Sequence, residues 1–116
     1  MNPSARASIA YVAARVITGK DSGHIYDYSQ TKYINIAGSV GGKSVSVFDY
    51  SRKCYFSGQL PSLYDYGQGA YVTININGSS FSGFNYRTKS HFTGTISGSN
   101  VSFYDYEVRQ YFNYTL

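Results

Sequence analysis

Tryptophan is absent from the chain, cysteine occurs once, proline and histidine twice each, and six acidic residues stand against ten basic ones. Each shortage removes a class of explanation. A single cysteine, Cys54, rules out an internal disulfide, and with only His24 and His91 beside it no metal-ligand cluster can be assembled. Neither histidine can be placed next to Cys54 from sequence, so it reads as an ordinary strand residue rather than a nucleophile. No window reaches the roughly 18 apolar residues of a membrane helix, and Met1 to Arg6 has no basic stretch leading into an apolar run. Gly-x-Ser-x-Gly, phosphate-loop, His-Glu-x-x-His and Cys-x-x-Cys motifs are all missing. The expectation is a non-enzymatic cytoplasmic protein without metal, cofactor or membrane partner, with the proviso that export without a signal would leave no mark on these features.

What the chain has in excess is tyrosine, 14 residues, with 7 phenylalanines and 12 glycines. Aromatic and β-branched residues favour strands, while Gly, Ser and Asn supply turns, so the bulk reads all-β. A length of 116 residues suits one domain with a core of its own, spanning residues 1–116. Its organising phrase is apolar, aromatic, Asp, Tyr. It recurs as Ile25-Tyr26-Asp27-Tyr28, Val47-Phe48-Asp49-Tyr50, Leu63-Tyr64-Asp65-Tyr66 and Phe103-Tyr104-Asp105-Tyr106, with Gly83-Phe84-Asn85-Tyr86 as a degenerate copy. The steps between copies are 22, 16, 20 and 20 residues, the length of a short hairpin.

Residues 3–18 are the one helical stretch. Ile9, Val12, Ala13, Val16 and Ile17 make an apolar stripe, with Arg6, Ala10, Ala14 and Arg15 around it, Asn2 and Pro3 as a start and Gly19 as a stop. Being rich in alanine, this helix is slim enough to sit close to another backbone. Residues 23–116 then alternate two kinds of strand, ten in all, joined by short connections that imply an antiparallel meander. Placing Tyr28 opposite Tyr33, Tyr50 opposite Tyr55, and so on through Tyr106 opposite Tyr111 aligns nine tyrosines and His91 in one row. The other face collects Ile25, Ile36, Val47, Leu63, Ile74 and Phe103 as a core. The fold expected is a curved sheet or up-and-down barrel of about five hairpin repeats, wrapped on or plugged by the helix. If the sheet stays open, residues 23–28 and 110–116 offer free edges.

Three surfaces are candidates for work. The aromatic face carries Tyr26, Phe48, Tyr64, Phe84 and Tyr104 as stacking platforms, with Tyr33, Tyr50 and Tyr71 beside them. Rigid, half-polar rings interleaved with Asn, Ser and Thr are suited to gripping a sugar or a protein, though such a ladder also stabilises a sheet by itself. Asp27, Asp49, Asp65 and Asp105 fall on the core face near the strand ends. As a rim they would bind a cation or ligand hydroxyls, or supply the paired carboxylates of sugar hydrolysis. Their repetition in every hairpin favours turn capping instead. Lys32, Arg52, Lys53, Arg87, Lys89 and Arg109 cluster in the loops after Asp-Tyr, but a net charge of +4 is mild and nucleic acid is not the expected partner. The function expected is a binding module presenting its tyrosine face, with glycans as the leading ligand class. The alternatives are a structural or protein-interaction domain that self-associates through the sheet edges or that face, and, as an outsider, an enzyme working on the aspartates.

Overall fold

A computed structural model describes residues 1–116. Helix α1 (Pro3–Thr18) is followed by ten strands: β1 (His24–Asp27), β2 (Lys32–Gly41), β3 (Ser44–Asp49), β4 (Cys54–Gln59), β5 (Ser62–Asp65), β6 (Ala70–Asn77), β7 (Ser80–Asn85), β8 (Ser90–Ser97), β9 (Asn100–Asp105) and β10 (Gln110–Thr115). Every strand pairs antiparallel with the next, and β1 pairs with β10, so the sheet closes into a barrel. Tyr26 lies opposite Thr115 and Asp27 opposite Tyr114 across the seam. The edges that an open sheet would have offered for pairing with another chain are therefore used up on each other.

A barrel of ten strands is wider than its own inward side chains can fill. Helix α1 fills it. From Ala5 to Arg15 each helix residue is buried, polar ones included, so the helix runs through the lumen rather than lying against one face of a sheet. Ala5, Ala7, Ala10, Ala13 and Ala14 keep it narrow, and Ile9, Tyr11 and Val12 reach out to the wall. The ends are set by local chemistry. Asn2 accepts hydrogen bonds from the backbone of Ser4 (2.8 Å) and Ala5, Pro3 occupies the first turn, and Gly19 ends the helix at φ 70° with its N–H on the Arg15 carbonyl.

The wall alternates as a half-buried sheet should, with Ile25, Ile34, Ile36, Val47, Phe56, Leu63, Val72, Ile74, Phe92 and Phe103 turned inward. Parity therefore follows the sequence pattern. Row alignment does not. At each turn after Asp-Tyr the pairing lies two residues further in than expected: Tyr33 faces Tyr26, Tyr55 faces Phe48, Tyr71 faces Tyr64, His91 faces Phe84 and Tyr111 faces Tyr104. The Gly turn between β2 and β3 uses Gly42 and Lys43, which sets Ile36 opposite Asp49 rather than Val47. On the remaining connections the expected pairing is found, as in the bonds from the N–H of Tyr66, Tyr86 and Tyr106 to the carbonyls of Tyr55, Tyr71 and His91. A displacement of two keeps every side chain on its face but staggers neighbouring strands. That stagger tilts the strands and lets the sheet close.

Inward glycines serve the wall and not the helix. A Cβ on Gly94 would collide with the Phe81 ring, and one on Gly83 with the Phe92 ring. Phe81 and Phe92 thus lie over bare backbone, with Phe92 stacked on Phe103 at 5.2 Å between centroids. Gly94→Ala is expected to lower stability by about 1–3 kcal/mol in urea unfolding. Gly41→Ala, whose methyl would meet nothing, should change it by less than about 0.5 kcal/mol.

Candidate functional site

The five Asp-Tyr turns share one build. The inward carboxylate oxygen of the Asp accepts the N–H two residues on: Ser29 on Asp27, Ser51 on Asp49, Gly67 on Asp65 and Glu107 on Asp105, at 2.9–3.0 Å, with Arg87 on the amide oxygen of Asn85. The turn closes on a left-handed residue, Thr31, Lys53, Gly69, Lys89 or Arg109. Only Gly69 adopts that conformation freely, since an L side chain there costs roughly 1–2 kcal/mol. Because the turn begins directly after the Asp, the following Tyr belongs to the loop on one side. On the other side its N–H still bonds the neighbouring strand, as Tyr28 does to the Asn113 carbonyl.

Asp27, Asp49, Asp65 and Asp105 cap their turns, the reading favoured from sequence, and are wholly buried inside that end of the barrel rather than forming the alternative open rim. Their remaining valences are taken by side chains. Arg52 donates Nε to Asp49 at 2.7 Å and Nη1 to Asp65 at 3.0 Å, Ser8 of the helix donates to Asp49, and Arg6 of the helix reaches Asp105 at 3.3 Å. Gln30 and Gln68 complete Asp27 and Asp65. Burial alone would push the Asp49 carboxyl up, but the hydrogen bonds and charge of Arg52, with the Ser51 hydroxyl, hold it below the usual range. Cys54 lies beside this network, and burial pushes its thiol up, which keeps it protonated. No group of three or more His, Cys, Asp or Glu side chains is arranged to hold a metal.

Outside the same turns lies an aromatic girdle. Each repeat contributes a triplet whose centre, Tyr26, Phe48, Tyr64, Phe84 or Tyr104, is half-buried between two flanking rings. The flanks are Tyr28 and Tyr33, Tyr50 and Tyr55, Tyr66 and Tyr71, Tyr86 and His91, Tyr106 and Tyr111. All ten contacts are edge-to-face, with centroids 4.7–5.0 Å apart, the preferred geometry for aromatic pairs. The structure grades exposure within the aromatic face. The centres expected to be platforms are half-buried against their neighbours, while the flanking tyrosines are 50–69% exposed, Tyr111 most of all. The exposed Tyr28, Tyr55, Tyr66, Tyr86, Tyr106 and Tyr111 had not been singled out, although the row of tyrosines contained them.

Beyond the girdle the outward residues are small and polar. An open groove of about 640 Å³ runs from Tyr104 and Tyr111 past Asn75, Ser82, Thr93, Thr95 and Ser102. A second, between neighbouring triplets, is bounded by Tyr64, Tyr71 and Tyr86 with Ser62 and Thr73. No helix is long and apolar enough to cross a membrane. The outward band of a membrane-spanning barrel is apolar, whereas this one carries hydroxyls and amides. Comparison of the chain with protein-family models, curated proteins and solved structures finds no match.

Two outcomes follow from the turns. Replacing Lys89 or Arg109 by Gly, which suits the left-handed position, should raise stability by about 0.5–1 kcal/mol in urea unfolding, the relieved strain exceeding the added chain entropy. Because the Asp49 pKa is lowered by folding, its contribution is present above the unfolded value of 3.8 and is lost as pH falls through the folded value. Stability should drop below about pH 4, and Asp49→Asn should flatten that acid limb while costing stability at neutral pH.

Proposed function

We propose that this chain is a non-enzymatic binding module that takes a glycan on its outer face, at the aromatic girdle and the hydroxyl-lined grooves leading from it. The observation that supports this reading is the Tyr104–Tyr111 groove, where two rings adjoin a floor and walls of Asn75, Ser82, Thr93 and Ser102. A sugar offers an apolar C–H face and a fringe of hydroxyls. Rings take the first, and side chains that both donate and accept take the second. Tyr33, Tyr50 and Tyr71 would contribute as exposed flanking rings, whereas Tyr26, Phe48, Tyr64, Phe84 and Tyr104 would hold those rings in place. Rings already braced at both sides lose little freedom on binding, which favours affinity.

A second reading has an observation of its own. Nine exposed tyrosines at one end of a chain this small form an unusually large half-apolar surface, which suits a protein partner or a second copy. The burial and bonding of the four aspartates lend no support to the enzyme alternative.

The distinguishing experiment is a glycan array probed with the intact chain and with the double variant Tyr71→Ala/Tyr111→Ala, matched by circular dichroism. Retention of a glycan by the first and a loss of about ten-fold or more in the second is expected. Equal retention by both would remove the tyrosine face as the site. Light scattering that shows mass rising with concentration, and falling back in the same variant, would move the assignment to self-association.

A further inference from the structure

The Asp-Tyr phrase gives the girdle end an acidic look in sequence, yet its charge outside is positive. Asp27, Asp49, Asp65 and Asp105 are buried, and Arg52 is spent on two of them. Lys53, Arg87, Lys89 and Arg109 on the same turns, with Lys32 at the start of β2 directly after its turn, remain exposed and have no ion-pair partner. Against them stands one exposed acid, Glu107, which is itself paired with the Met1 amine. Around the closed barrel the turns follow in order, so these five cations occupy an unbroken arc of four turns, interrupted only at Gly67–Gly69.

Two details concentrate this arc. The fourth repeat departs from the others by carrying Asn85 for Asp and His91 for Tyr, while adding Arg87 and Lys89. Its neighbour adds Arg109. Lys53, Lys89 and Arg109 all sit at the left-handed position with φ 53–57°, where Gly69 shows that glycine fits the same turn. Three of the four non-glycine residues at this position are basic, Thr31 being the fourth, and strain held where glycine also fits is the pattern of a functional position. Each of the last two cations is exposed on the same turn as an exposed ring, Lys89 with Tyr86 and Arg109 with Tyr106.

We propose that the ligand of the girdle is an acidic polysaccharide, sulfated or uronic, whose anionic groups are held by Arg87, Lys89 and Arg109 and whose sugar rings lie on the neighbouring tyrosines. This rests on the glycan reading above and narrows its ligand class. Arginine and lysine on a convex arc match charges spaced along a flexible chain, and hydrogen bonds to charged groups discriminate strongly against neutral sugars.

The test measures binding of a heparin oligosaccharide, of oligogalacturonate and of a neutral oligosaccharide to the intact chain, to Lys89→Gly/Arg109→Gly and to Tyr71→Ala/Tyr111→Ala. Glycine suits both turn positions, so the first variant should melt no lower than the intact chain, and weakened binding cannot be ascribed to unfolding. The intact chain should bind one of the anionic probes, lose affinity as salt rises, and lose roughly ten-fold or more in Lys89→Gly/Arg109→Gly. The heparin and galacturonate arms separate sulfate from carboxylate. Equal affinity for the neutral probe, unchanged by the glycine variant and abolished by the tyrosine variant, overturns the proposal and leaves the glycan reading standing. Anionic binding lost in the glycine variant but untouched in the tyrosine variant overturns the glycan-on-tyrosine reading itself. Tighter retention of single-stranded DNA or of phosphatidylserine vesicles than of either polysaccharide also overturns it.

Discussion

A closed sheet of ten strands encloses more space than its inward side chains occupy, and that unfilled lumen is the constraint the molecule answers to. The answer is a sixteen-residue helix thin enough to pass through it. Alanine at five of the buried helix positions keeps the helix slim, while the barrel supplies Phe56, Phe92 and Phe103 among its large buried side chains. Glycines at 83 and 94 then clear room for phenylalanines of adjoining strands. Helix and wall are two halves of one core, and neither buries its apolar surface without the other.

Electrostatics follows from this arrangement. The helix has no acidic residue in its first turn, yet its N-terminal end carries the positive pole of the helix dipole. The wall provides the missing negative charge, with Asp105 against Arg6 and Asp49 against Ser8. One row of residues thereby does three things: it starts each turn, seats the helix and, by turning its charge inward, leaves the exterior of that end to lysine and arginine. At the opposite end Arg15 is accepted by the Gly38 carbonyl at 2.6 Å and pairs with Asp21.

Fold and faces were legible because both depend on parity. Alternation fixed which residues of Val47-Phe48-Asp49-Tyr50 point inward, and a displacement of two residues preserves that assignment. The displacement itself was hidden, since it depends on left-handed turns at Thr31, Lys53, Lys89 and Arg109, residues whose identity gives no hint of positive φ. Only Gly67-Gln68-Gly69 advertised the geometry. The exposure of the aromatic face depended on the same displacement: with the stagger unknown, Tyr26 and Tyr64 could not be told apart in exposure from Tyr28 and Tyr66. Burial of Arg6 and Arg15 was equally invisible, because a helical stripe implies a wet opposite face and only a surrounding wall removes it.

Closure of the barrel at its first and last strands has a consequence for how the chain reaches this state. The helix is the earliest segment in sequence, and the seam that encloses it joins Asp27 to Tyr114. Hairpins can form locally as they appear, but the helix stays without its full coat until the final strand docks. Folding is therefore dominated by one long-range event whose loop entropy is spent before its contacts are gained, which makes for a slow, late closing step. Loss of β10 would uncover the helix and free two strand edges together, so the last strand shields both the core and the edges of everything before it.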